Sequence, residues 1–182
     1  MYNEIESILF SEQQLRERIE EMGREIARDY AGKDLVMIAI LRGATIFYAD
    51  LARAINIPAA LDFMVVTRYG RKDRPEEVRI LKDLDTEVKN RDLLLVEDVI
   101  DNGDTIHFLV QALQLRKPRS LKLCTLFDKP KRRTAKVAAD YIGFELPDRF
   151  VVGFGLDYQQ RYRNLPYLAT LNPGSCVYEK AE

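Results

Sequence analysis

Apolar residues recur along this chain with two different periods, and the way the periods alternate predicts the architecture. Leu15, Ile19, Met22 and Ile26 fall at helical spacing. They follow Ser11-Glu12-Gln13-Gln14, which has the form of a capping box, and Gly32 lies beyond the helix end. Leu35 to Leu41 is then an unbroken apolar run with β-branched residues, which reads as a strand buried on both faces. Arg42-Gly43 interrupts it. Ala44, Phe47, Leu51 and Ile55 line one side of a second helix over 44–55, Pro58 starts a turn, and Leu61 to Val66 forms a second strand. Leu93 to Val96 is a third buried strand, 105–116 is helical with Ile106, Leu109, Val110 and Leu113 facing inward, and Leu121 to Phe127 is a fourth strand. Tyr141-Ile142 and Phe150 to Val152 read as short strands, and the remainder as loop until Ser175 to Tyr178. Strands alternating with helices predict an α/β domain: a mostly parallel central sheet with helices on both faces.

Residues 67–91 break this rhythm. Thirteen charged side chains precede Arg91 there, and Val78, Ile80 and Leu84 give only a weak hairpin pattern. A long polar excursion inside a compact domain is either a functional lid or disordered, and the lid is the favoured reading.

Composition narrows the function classes. A chain of 182 residues, 47% hydrophobic and 31% charged, suits a single globular domain, here 1–182, and excludes disordered and fibrous classes. No apolar run approaches a membrane span, and Met1 to Glu6 lacks a basic region followed by an apolar stretch, so neither membrane helix nor signal peptide is expected. A net charge of −1 argues against nucleic acid as a general partner. The run Lys129 to Arg133 reads as a solvated loop rather than a nucleic-acid patch. Cys124, Cys176 and the single His107 are too few for a four-ligand Cys/His zinc site and fit a reducing cytoplasm. His107, on the helix that follows the third strand, reads as structural.

The segment with the most chemistry is Val96-Glu97-Asp98-Val99-Ile100-Asp101-Asn102-Gly103-Asp104-Thr105. Ligands of a parallel sheet sit beyond the carboxyl ends of its strands. Here such an end carries three acids, then a glycine turn that opens a helix. Carboxylates can accept from sugar hydroxyls, and a helix N-terminus offers amide N–H groups to phosphate. The combination points to a phosphorylated sugar. Alternative phosphate motifs are missing: there is no G-x-x-x-x-G-K-[ST], and Gly153-Phe154-Gly155 lacks the third glycine of a dinucleotide fingerprint.

A hydrophobic strand followed by Glu-Asp-x-x-Asp and x-Gly-x-Thr resembles the 5-phosphoribosyl diphosphate (PRPP) motif of the type I phosphoribosyltransferases. Leu41-Arg42-Gly43, Arg68-Tyr69-Gly70, Leu126-Phe127-Asp128-Lys129, Phe150 to Tyr158 and Arg163-Asn164-Leu165-Pro166 follow in the order of the hypoxanthine-guanine phosphoribosyltransferases. The resemblance runs from about residue 10 to the end. It implies the type I fold, a central mostly parallel sheet flanked by helices, with a small hood from the N- and C-terminal segments and a mobile lid at about 67–91. It implies transfer of phosphoribosyl from PRPP to hypoxanthine and guanine in purine salvage, with Mg2+, in a cytoplasmic homodimer or homotetramer. A xanthine-preferring enzyme and a non-catalytic PRPP-sensing regulator are the rivals.

Residue by residue, the resemblance implies that Glu97 and Asp98 hold ribose hydroxyls, and that Glu97, Asp98 and Asp157 serve the magnesium shell. Asp101 stands beside purine N7 as the catalytic acid–base group. Asp101, Asn102, Gly103, Asp104 and Thr105 cradle the 5′-phosphate, with the Asp104 side chain turned to solvent. Arg42 and Gly43 form a pyrophosphate loop that carries a non-proline cis peptide in the family, and Arg163 reaches pyrophosphate. Lys129 donates to the 6-oxo group, Phe150 stacks on the purine, and Val151 and Asp157 complete the purine side. Arg68 and Tyr69 belong to the lid. Arg42, Arg68 and Asn102 depart from the family pattern, which has Lys, Ser and a hydroxyl residue there. Asn102 is either an amide donor to phosphate or the residue that serves the turn before Gly103.

Overall fold

The computed structural model describes residues 4–69 and 77–172. In chain order these form β1 (Ile5–Phe10), α1 (Glu12–Asp29), β2 (Leu35–Leu41), α2 (Thr45–Ala54), β3 (Ala59–Tyr69), β4 (Glu77–Lys82), β5 (Asp92–Ile100), α3 (Asp104–Gln114), β6 (Ser120–Asp128), a 3-10 turn (Pro130–Arg132), β7 (Tyr141–Glu145), β8 (Val151–Val152) and β9 (Leu168–Leu171). The capping box is present: Ser11 Oγ accepts from Gln14 N at 3.3 Å and Gln14 Oε1 from Ser11 N at 2.9 Å.

Six strands make the central sheet in the order β4-β3-β2-β5-β6-β7, parallel throughout except for β4. The two-sided apolar reading of β2 is realised residue by residue. Leu35, Met37 and Ala39 pack with α1 and α2, while Val36, Ile38 and Ile40 pack with Ile106, Leu109 and Leu113 of α3 on the opposite face. The connection from β2 runs through α2 to β3, and the connection from β5 runs through α3 to β6 on the other side. The order of strands therefore reverses between β2 and β5, and the crevice at their carboxyl ends is the place where such sheets bind ligands.

Two strands were not visible in the periodicity. β1 is broken by register irregularities on both sides of its centre, which spoil the alternation, and β9 is four buried residues with no pattern to read. With β8 they form a separate antiparallel sheet in the order β1-β9-β8. Phe10 ties it to the main body by stacking on Phe144, with ring centroids 4.1 Å apart. β3 and β5 also run further than the apolar run alone suggested. β3 continues to Tyr69 because β4 pairs with it, giving the weak hairpin at 78–80 a partner. The expected lid overlaps residues 70–76, and the strand expected at 175–178 also lies outside the described residues.

Candidate functional site

The site begins where two strand pairings stop at different heights. β2 pairs with β5 only as far as Ala39↔Val96, whereas β5 pairs with β6 through Ile100↔Asp128. Glu97 and Asp98 therefore project from a strand that has lost its neighbour on one side. The turn after β2 fills that gap. It contains the Leu41–Arg42 peptide, which is cis, and Gly43, which lies directly against the Asp98 carboxylate. Arg42 is exposed at the mouth of this turn, and its carbonyl accepts from the Thr45 hydroxyl at 2.6 Å.

The two acids are held in unusual states. Asp98 is buried, and its Oδ1 accepts from Val99 N at 2.8 Å. Burial pushes its carboxyl up to about 6 despite that bond and the nearby Arg163. Glu97 Oε2 is enclosed and has no hydrogen-bond partner among the described residues. Burial, with the neighbouring Asp98 adding to it, pushes the Glu97 carboxyl well above the usual carboxylate range. Buried acceptors of this kind invite hydroxyl donors or a cation.

The loop that carries Asp157 and Arg163 lies against this turn through Gly155 and Gly43; within it Asp157 Oδ1 pairs with Arg163 Nη2 at 2.5 Å, and Arg163 Nη1 donates to Gly155 O at 2.8 Å. Among the described residues no three His, Cys, Asp or Glu side chains converge as a metal cage. Glu97, Asp98 and Asp157 therefore do not form a protein-only metal site.

Beyond β5 the chain turns through Asp101 and Asn102 into Gly103. That glycine takes φ of 89° as the N-cap of α3, a left-handed geometry that suits glycine. Gly103 has no side chain to cap this helix end, and the first amide of α3, Asp104 N, is taken by the Asn102 side chain that precedes it. Asn102 serves the turn: its Oδ1 accepts from Asp104 N at 3.2 Å and its Nδ2 donates to Asp104 Oδ2 at 2.7 Å. Asp104 is exposed, but its carboxylate bonds Asn102 rather than solvent alone. Arg68 reaches the loop from β3, donating from Nε to Thr105 Oγ1 at 2.9 Å and from Nη2 to Asn102 Oδ1 at 3.0 Å. The Asn102 carbonyl is braced by Thr134 N at 3.0 Å and Ala135 N at 3.1 Å.

Lys129 to Arg133 is solvated only in its middle: Lys131 and Arg132 are exposed, as expected for a solvated loop, but the two ends are drawn inward. Lys129 is buried, and its Nζ donates to Arg149 O at 2.9 Å. Burial lowers the pKa of its ammonium, and the charge of Asp101 works against that shift. Arg133 is ion-paired with Asp128 and donates to the Ile100 carbonyl at 3.4 Å. Arg132 Nε bonds Asp101 Oδ1 at 2.9 Å. This pairing was not legible in the sequence, where Arg132 is one of several basic residues in a run. Phe150 is half-buried and meets the Tyr158 ring edge-on at 5.5 Å, a second aromatic that sequence reasoning left unassigned. Val151 is buried and paired with Thr170. His107 is half-buried and bonds Gln111, away from these acids in its contacts. The structure thus gathers Arg42, Gly43, Glu97, Asp98, Asp157 and Arg163 at the β2–β5 gap. Asn102, Gly103, Asp104, Thr105 and Arg68 form the loop before α3, and Asp101 and Lys129 stand at the ends of adjacent strands. The backbone of Tyr69 ends β3, and nothing is described of its side chain. A cleft of about 780 Å³ lies elsewhere, between charged residues of α1 and the end of α2.

Residues 6–159 match the family model of the phosphoribosyl transferase domain. The hypoxanthine-guanine phosphoribosyltransferase of Bacillus subtilis is 46% identical over 180 residues, covering 98% of this chain and 99% of that one. The bifunctional protein TilS/HprT of Listeria monocytogenes is 46% identical over 174 residues, but the chain spans only 27% of its length. A hypoxanthine phosphoribosyltransferase structure from Staphylococcus aureus superposes with a TM-score of 0.93 at 41% identity, covering 97% of this chain and 96% of that chain.

Proposed function

Because the chain belongs to the phosphoribosyltransferase family, we propose that it transfers the 5-phosphoribosyl group from PRPP to hypoxanthine and guanine, releasing pyrophosphate and a purine nucleotide. The observation that carries this reading is the gap between β2 and β5. There, the unpartnered Glu97 Oε2, the buried Asp98 carboxyl, a glycine turn and the start of α3 lie along one sheet edge. In this reading Glu97 and Asp98 accept the ribose hydroxyls, which supply the donors that Glu97 lacks. The Thr105 and Ile106 amides at the start of α3 and the Thr105 hydroxyl bind the 5′-phosphate. Arg42, the Gly43 backbone and Arg163 bind pyrophosphate.

The base sits between the ends of β5 and β6. The Lys129 ammonium donates to the 6-oxo group, an acceptor that adenine replaces with an amino group. Phe150 stacks on the ring, and the Val151 backbone meets its 2-position edge. Purine N9 forms a bond to C1′ as the C1′–oxygen bond to pyrophosphate breaks, and Asp101 takes or shares the proton on N7. Most of the work is positioning and electrostatics in a site held by rigid strand ends.

A magnesium ion fits this donor set only as a cation that keeps its own waters and binds substrate oxygens beside one or two carboxylates, for which Glu97, Asp98 and Asp157 are the candidates. When bound, it neutralises charge on the departing pyrophosphate. The proposal includes a single domain over 1–182 with the β1-β9-β8 sheet as hood and a mobile lid at about 67–91. It also includes a homodimer or homotetramer in the cytoplasm. Nucleic acid is no partner in it, since Arg132 and Arg133 are committed to Asp101 and Asp128. Among the described residues no helix is long and apolar enough to cross a membrane. Calorimetric titration with IMP, GMP and AMP tests the reading: IMP and GMP saturate the protein and AMP does not, and failure of all three to bind would refute it.

A further inference from the structure

Residues 101–105 contain two carboxylates, Asp101 and Asp104, and no cation. A dianionic phosphate at the start of α3 meets amides and a hydroxyl there, but it also meets the charge of Asp104 and the amide oxygen of Asn102, both of which repel it. The cation that answers these charges comes from another strand. Arg68, next to the last residue of β3, lays a guanidinium across the loop, with Nε on Thr105 Oγ1 at 2.9 Å and Nη2 on Asn102 Oδ1 at 3.0 Å. Of the arginines on the far side of the loop, Arg132 is paired with Asp101 and Arg133 with Asp128.

We infer that Arg68 is a ligand of the substrate 5′-phosphate in this protein. The inference deepens the function proposed above and rests on the reading of this loop as a phosphate site. Three features of the geometry support it. First, Arg68 sits on the Asn102 oxygen, so that an incoming anion meets the guanidinium instead of a lone pair. Second, Thr105 Oγ1 accepts from Arg68, which leaves its own hydrogen to donate to phosphate. Third, a guanidinium spreads its charge over a planar fork, so the Nε and Nη2 bonds that hold the loop bring a positive charge to the place where the phosphate binds. The loop supplies amides and the strand supplies charge. Asp104, bonded to Asn102 Nδ2, then belongs to a chain of contacts that runs Arg68–Asn102–Asp104 and balances its charge.

The two reaction products separate this role from its alternatives, because IMP carries the 5′-phosphate and pyrophosphate does not. Binding of IMP and of magnesium pyrophosphate is measured by calorimetry for the full-length protein, Arg68→Met and Arg68→Lys, with a melting curve for each. Arg68 is exposed, so both variants are expected to fold. Arg68→Met should weaken IMP by about 10- to 100-fold and leave pyrophosphate unchanged, with Arg68→Lys in between. An unchanged IMP affinity overturns the assignment. A loss confined to pyrophosphate, or equal for both products, overturns it too, placing Arg68 at the other end of PRPP or in a purely structural role. Wild-type protein that binds neither product contradicts the proposed function itself rather than the part given to Arg68.

Discussion

Gly43 leaves the space that the Asp98 carboxylate occupies: a Cβ on residue 43 would overlap Asp98 Oδ2 and stand 2.7 Å from its Cγ. The turn after β2 and the acidic end of β5 are therefore fitted to each other, and a change in one displaces the other. Gly43→Ala is expected to lower kcat/KM for PRPP by about 100-fold, because sub-ångström misplacement of reacting groups is costly. It should destabilise the fold by only about 1–3 kcal/mol, as overpacking does. Steady-state kinetics beside a melting curve checks both, and a wild-type kcat/KM for PRPP would contradict the fit.

Asp101 is half-exposed and bonded to Arg132, so it is accessible to a base bound against it. Asp101→Asn keeps the shape and removes the carboxylate. A fall in kcat of about 100-fold or more is expected, with KM for PRPP little changed. An unaltered kcat removes Asp101 from the chemistry.

Lys129 is buried and has a lowered pKa, with its ammonium near Asp101. Lys129→Met should weaken IMP by about 1–3 kcal/mol, the range for a hydrogen bond to a charged donor. The same titration would show no change if Lys129 only packs against Arg149.

The paired acids give the ligand-free protein a distinctive pH profile. Asp98 is raised to about 6 and Glu97 is raised as well, mainly by burial. A carboxyl whose pKa is higher folded than unfolded stabilises the fold while protonated, fully below about pH 4, and loses that contribution as pH rises through about 6. Asp29, Asp34 and Asp83 run the other way, lowered by bonds to Lys122, Arg91 and Arg116, and their contribution is lost on acidification. Stability without ligand should peak near about pH 5 and decline towards pH 8, by on the order of 2 kcal/mol from Asp98. Asp98→Asn should flatten the decline. A melting temperature that rises steadily from pH 5 to 8 would contradict these states.

Much of this was legible in the residues. The seven apolar positions of β2 announced a strand with two covered faces, and Ser11 with Gln14 announced the start of α1. The order of Arg42-Gly43, the acids at 97–101 and Lys129 announced which strand ends would meet. What stayed hidden depends on tertiary pairing. β9 is too short to show a period, and β1 is irregular. The burial of Lys129 and the partial burial of Arg133 at the ends of a basic run follow from contacts with Arg149 and Asp128 that local charge density does not encode. Arg68 and Asn102 were each visible as departures from the family pattern. That they touch, across 34 positions of sequence, required the structure.

The central claim is that this sheet edge joins PRPP to a 6-oxopurine. It is tested most directly by measuring pyrophosphate release from PRPP and magnesium with hypoxanthine, guanine, xanthine or adenine as the second substrate. Release with hypoxanthine and guanine, and none with adenine, is the predicted result. No release with either hypoxanthine or guanine, or release with adenine equal to theirs, would contradict the account.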